Sequence, residues 1–290
     1  IDAQNKDPFM IGSFIDPISV VVISVPLIVA CIALRLGAGV HWSLVLRDLG
    51  VPLGLLMTFM GFLNIAYSAS DASAIAPATA VMLLTILYGG LLASIGYFWS
   101  HRLAGSVDAL QENKQVKWWA ILAPLIFFLA ILFWVLGMVN GFEVFIEIAP
   151  LGVFTTTALV ALIISKKNVV HTLSLSFLLS AMINIVIGLI YFYQGDRLGF
   201  GIAIMGVIYS QIAYICLYFL AFKLGGSREI DTPLMNWHWL EVSAFLIFMF
   251  LAPITLQEEL SNIESEKEAK ALNIRIEELE RELRALKNYQ

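Results

Sequence analysis

The chain has 290 residues, 60% of them hydrophobic, a mean hydropathy of +0.86 and only 39 charged side chains, 17 basic and 22 acidic. Fifteen of those charges fall between Glu258 and Lys287, so the residues before them carry too few to cover a water-soluble surface. That excludes a soluble enzyme, and a net charge of −5 with no basic block excludes a nucleic-acid binder. Cys31 and Cys216 sit singly in apolar runs, as buried thiols do, and make neither a disulfide framework nor a zinc set.

A helix needs about 20 mostly apolar residues to cross the hydrocarbon core. Stretches of that kind lie at 16–36, 50–67, 77–99, 117–138, 146–165, 171–193, 199–222 and 237–256. Short polar turns such as Ser68-Ala-Ser-Asp71 and Gln194-Gly-Asp-Arg197 separate them. The fold class expected is therefore all-α, a polytopic membrane bundle of about eight spans. With residues 1–15 outside, the inner loops hold Arg35, Arg47, Arg102, Lys114, Lys117, Lys166, Lys167, Lys223 and Arg228, against Lys6 and Arg197 on the outside. Cytoplasmic loops hold the excess of Lys and Arg, so the eighth span runs outward and the acidic tail is extracytoplasmic.

In that tail Ala269, Leu272, Ile276, Leu279, Leu283 and Leu286 follow one another at spacings of three and four, an a/d heptad seam. A coiled coil that brings chains together is expected, since a lone helix leaves a Leu stripe in water. The first residue is Ile and the last, Gln290, falls within a heptad, the pattern of ends that have been processed or trimmed.

The chain also repeats itself. Phe14-Ile-Asp16 and Phe145-Ile-Glu147 each open an apolar run that leads through a basic loop into a helical hairpin. Gly61 parallels Gly188, and Tyr88 and Tyr97 match Tyr209 and Tyr218 at a constant offset of 121. This reads as a tandem duplication in one membrane sense, an arrangement that in transporters places the path where the copies meet. The run at 117–138 has no counterpart before Asp16, so the first copy is expected to lack its leading helix or to have lost it by processing. The units expected are a first repeat over 1–104, a second over 105–224, a spanning helix over 225–256 and a coiled-coil stalk over 257–290.

Burying a charge in hydrocarbon costs about 2.5–3.5 kcal/mol even on insertion scales, so an intramembrane acid is a functional residue by default. In Trp237-His-Trp-Leu-Glu241-Val-Ser, Glu241 is the sole ionisable group beyond the tryptophan pair. Desolvation there suits a carboxyl that loads and releases a proton; the competing account is a carboxylate snorkelling to the headgroups. Four dispersed histidines give no metal-ligand spacing. The first hairpin holds Pro52, Thr58, Pro77, Thr85 and Tyr88. Threonine hydroxyls, with carbonyls freed by proline, can order water or a cation inside a bundle, although threonine also serves close helix packing. The second copy has Ile185 and Gly206 where the first has Thr58 and Thr85, so only the first is expected to supply those hydroxyls. No Ser-His-Asp or Cys-His set, Walker loop or dinucleotide fingerprint can be assembled, and the chain is not expected to be an enzyme.

Gly54-Leu-Leu-Met-Thr58 and Ala76-Pro-Ala-Thr-Ala-Val-Met-Leu-Leu-Thr-Ile-Leu-Tyr-Gly89 resemble the last two helices of the MotA/TolQ/ExbB proton-channel family. Phe14-Ile-Asp-Pro-Ile-Ser19 resembles the start of the second MotA helix, and Leu240-Glu-Val242 with the run to Pro253 is similar to the spanning helix of the ExbD/MotB partners. The resemblance implies two channel-type repeats fused to a partner-type helix and stalk. It puts Thr58 and Thr85 along an ion path, with Pro52, Pro77 and Tyr88 shaping it, and puts Glu241 on the proton-carrying carboxylate. The family residue there is Asp, its second threonine is Ile86 here, and the large cytoplasmic domain of MotA has no room between Leu36 and Gly50.

The function expected is an ion-motive-force transducer of the bacterial inner membrane, moving protons or sodium and driving an extracytoplasmic coiled coil. The alternatives are a non-conducting scaffold for coiled-coil assembly and a solute transporter with parallel repeats. No cofactor is implied beyond the transported ion. The partners expected are further copies of the chain, through bundle and coiled coil, and a cell-envelope component.

Overall fold

The structure is a computed structural model and describes residues 16–68, 72–103, 116–138, 146–165, 169–194 and 198–224, with residues 265, 269, 270, 272–276 and 279 of the tail. Among the described residues ahead of the tail, seven helices follow in order: α1 (Pro17–Ala38), α2 (Trp42–Ser68), α3 (Ala72–Leu103), α4 (Trp118–Met138), α5 (Ile148–Ile164), α6 (Val169–Tyr193) and α7 (Leu198–Leu224). Six are long and apolar enough to cross a membrane, and α5, at 17 residues, is shorter. The chain is a helical membrane protein. The expected span at 237–256 lies outside the described residues.

Local signals set the helix ends. Asp16 caps α1, its Oδ2 accepting from the Ser19 N–H at 2.8 Å, and Pro17 follows at the first helical position, where the missing N–H costs nothing. Gly39 ends the helix with a φ of 71°, a left-handed conformation that Gly adopts without strain, and its N–H returns to the Leu34 carbonyl. His41 then starts α2, because its Nδ1 accepts from the Ser43 N–H at 3.3 Å and lies 2.8 Å from the Ser43 hydroxyl. The helix therefore begins at Trp42, well before the expected position near 50. Arg47 and Asp48, expected in a loop, are inside α2, where they neutralise each other at 2.6 Å.

Two helix triplets are joined through α4. In the first, α2 and α3 form a tight antiparallel hairpin with α1 laid across both; in the second, α6 and α7 do the same with α5. The triplets meet where α2 packs on α7, and α4 rests on α1 and α7. Those two central helices are the most enclosed, with 67% of the α2 span and 78% of the α7 span buried. Leu55, Leu56, Phe59, Met60 and Phe62 of α2 join Ile204, Met205 and Ile208 of α7 in one continuous core.

The periphery has the opposite character. α3 shows Val81, Leu87, Leu91, Ile95 and Phe98 on its outer face, and α4 shows Leu122, Ile126 and Phe133. Such patches are untenable in water and ordinary against lipid tails. Trp42 and Trp99, 5.5 Å apart, lie with Trp118 and Trp119 at the end carrying Arg102, Lys117 and Lys223, as a headgroup-level aromatic belt does. There Lys223 Nζ donates to the Val116 carbonyl at 2.9 Å and sits 5.2 Å from the Trp118 ring centroid, tying the end of α7 to the start of α4.

Candidate functional site

Glycines bring α2 and α3 together. A Cβ on Gly89 would collide with the Gly50 carbonyl oxygen and stand 2.9 Å from the Gly54 Cα, while one on Gly54 would meet the Thr85 carbonyl at 3.0 Å. Small residues at a helix crossing let backbones approach this closely, which in lipid replaces the missing hydrophobic drive. One turn further along that seam, Thr58 of α2 and Thr85 of α3 face each other with their hydroxyl oxygens 2.6 Å apart.

Both threonines are buried, Thr58 completely. The Thr58 hydroxyl lies 2.8 Å from the Gly54 carbonyl and the Thr85 hydroxyl 2.7 Å from the Met82 carbonyl; each also reaches toward the other's acceptor, at 3.3 and 3.4 Å. Two hydroxyl protons thus share four acceptor positions. Either threonine can donate to the other while the second holds its own-helix carbonyl, so the direction of the bond reverses by rotating two hydroxyls. Chemically the pair can relay a proton or turn its oxygens toward a cation, and it can equally serve as interhelical glue.

The other expected site residues are placed differently. Pro52 is buried within α2. Pro77 lies in the early part of α3, with only its backbone described. Tyr88 reaches across to the start of α1, its hydroxyl accepting from the Asp16 N–H at 3.2 Å. Tyr209 repeats that contact on the Glu147 N–H at 3.3 Å. Matched tyrosines therefore pin the first helix of each triplet to the third. Asp16 also caps its helix; Glu147 makes no such side-chain bond and leaves Oε2 without a partner. Glu241 lies outside the described residues, as do Leu283 and Leu286. Leu272, Ile276 and Leu279 of the tail are helical and exposed, at 64%, 46% and 56%.

The meeting surface of the two triplets is apolar. Pro26, Leu27, Leu49, Leu53, Pro124, Phe128, Ile215 and Phe219 line a small cleft there. Polar groups instead lie inside each hairpin. In the second, Ser180, Asn184, Ser210 and Gln211 are all buried to 2% exposure or less. Sequence reading passed over them because Ser and Asn in a Leu/Ile-rich run read as packing. The signal available was the four-residue spacing of Ser176, Ser180 and Asn184, one face of α6. Among the described residues no group of His, Cys, Asp and Glu is arranged to hold a metal ion. Family models, curated proteins and solved structures give no match to this chain, so its function must be argued from these contacts.

Proposed function

We propose that the protein is an ion-motive-force transducer: protons, or sodium ions, pass along the first hairpin between Glu241 and the Thr58/Thr85 pair, and the resulting motion is carried by an extracytoplasmic coiled coil. The observation that carries this reading is the threonine pair. Two residues 27 positions apart, singled out for resemblance to a proton-channel hairpin, meet at 2.6 Å inside the buried seam of that hairpin. Paired hydroxyls whose bond direction reverses suit a relay. In the same reading the stretch 237–256 is the eighth span, and Leu272, Ile276 and Leu279 seek the same seam in further copies of the chain. The membrane is the bacterial inner membrane, with the tail outside.

A second reading, a non-conducting scaffold, is favoured by a different observation. Each hydroxyl already has a carbonyl acceptor on its own helix, at 2.8 and 2.7 Å, so packing alone satisfies the pair.

Purified protein in liposomes under an imposed proton or sodium gradient separates the two. Flux is expected from the parent chain, abolished in Glu241→Gln and reduced in Thr58→Val, with unfolding midpoints showing that both variants are folded. A parent chain that passes neither ion leaves the scaffold; undiminished flux through Glu241→Gln removes that carboxyl from the path.

A further inference from the structure

Asn184 of α6 has no exposed surface and is packed directly over Gly206 of α7, where even a Cβ would collide with it. Its amide nitrogen points to the Pro150 carbonyl of α5 at 3.4 Å and to the Ser180 hydroxyl at 3.5 Å, both at the long limit of hydrogen bonding. Turning the amide over would set two carbonyl oxygens against each other, so this orientation is the favoured one. It leaves Asn184 Oδ1 fully enclosed with no donor. A carbonyl dipole in that condition is rare, and rarer still where lipid surrounds the bundle and bulk water cannot reach it.

We propose that Asn184 Oδ1 and Ser180 Oγ form a binding station for a small electropositive ligand, a water molecule or a partly dehydrated monovalent cation, held between α6 and α7. Both oxygens are neutral, which suits these ligands and disfavours a divalent ion, whose sites recruit carboxylates. Ser180 is likewise without exposed surface, and one turn separates it from Asn184 on the same helix face. Asn184 itself lies over Gly206, the residue that stands where the first hairpin has Thr85, with its Cβ, Cγ and Nδ2 nearest to it. Each hairpin thus keeps polar oxygens at a corresponding level between its two long helices. Ligand binding at Asn184 does not depend on conduction; only its use as a second stopping point for a moving ion rests on the transducer reading.

The test is thermal unfolding of the full-length chain in detergent, followed by tryptophan fluorescence, in NaCl or KCl against choline chloride at equal ionic strength. If a cation binds, Na+ or K+ raises the midpoint saturably; the effect is lost in Asn184→Leu, weakened about tenfold in apparent affinity in Ser180→Ala, and kept in Thr58→Val. If water binds, the midpoint ignores the cation, and Asn184→Leu lowers it. A cation-independent midpoint that Asn184→Leu leaves unchanged or raises overturns the proposal, because removing an unpaired buried carbonyl stabilises the fold. Should Asn184→Leu not fold, Asn184→Ala, which removes the same carbonyl and adds no bulk, decides between the same outcomes. None of these readings needs flux, so a chain that fails to conduct leaves them intact.

Discussion

The α2/α3 and α6/α7 hairpins make corresponding contacts with different chemistry. Gly89 of α3 lies against the Gly50 carbonyl, backbone to backbone; at the matching level, Ser210 of α7 donates its hydroxyl to the Phe177 carbonyl. Gly61 is covered by Met82, and its counterpart Gly188 by Ala203 and the Gly199 carbonyl. Tyr88 and Tyr209 clamp the first helix of each triplet in the same way. At this level the first hairpin is drawn together by the absence of side chains and the second by a hydrogen bond that a side chain supplies, although Gly188 and Gly199 give the second a close backbone contact of its own. Where the first then places two hydroxyls, the second places an amide over a glycine. A common frame has kept its spacing while its polar groups have been redistributed, so identity at matched positions is a poor guide to which hairpin holds a polar site.

The comparison breaks most readily at its tightest contact. Gly89→Ala must force apart two backbones that cannot yield, at an expected cost of about 3 kcal/mol, whereas Ser210→Gly, its counterpart, forfeits one hydrogen bond at about 1 kcal/mol. Unfolding midpoints in detergent measure both, and equal costs would mean that the hairpins are held by the same means at this level. A double-mutant cycle on Thr58→Val and Thr85→Val sharpens the next difference. A coupling of about 1 kcal/mol is expected across the 2.6 Å contact, while Ile185→Val with Gly206→Ala, at the matched positions, has no hydroxyl coupling to lose. The smallest effect is at the turns. His41 Nδ1 serves Ser43 at the start of α2, while His171 Nδ1, near the start of α6, is enclosed without a partner. Burial, with the Arg35 charge as a lesser cause, lowers the His41 pKa below its usual 6.5. The folded state therefore favours neutral imidazole, and the stability it contributes is present above that value and declines as pH falls through and below it. His41→Gln should flatten this part of the pH profile.

Much of the helical frame could be read from hydropathy, because each long apolar run must hide its backbone in a helix. The expected runs at 16–36 and 117–138 differ from α1 and α4 by one or two residues. The start of α2 was not legible, since Arg47 and Asp48 look like a loop until their mutual contact is known. Thr58 and Thr85 stood out by resemblance, but their meeting depends on glycine contacts that no local pattern announces. Tyr88 and Tyr209 were legible as a matched pair and not as clamps, because each acts on a backbone N–H 72 or 62 residues earlier. Asn184 was missed for a related reason: its lack of a partner is a property of three helices and of no single one.

The brevity of α5 has a consequence for the lipid around it. Seventeen residues rise about 25 Å, against a hydrocarbon thickness of about 30 Å, and Ile148 and Ile163, near its two ends, are the most exposed of its large apolar side chains. Acyl chains beside α5 must shorten or tilt to match, while those beside the 32-residue α3 need not. Among the described helices the bilayer is therefore pinched beside α5 and not beside α3, and a thinner membrane, or a neighbour with the same mismatch, relieves the strain.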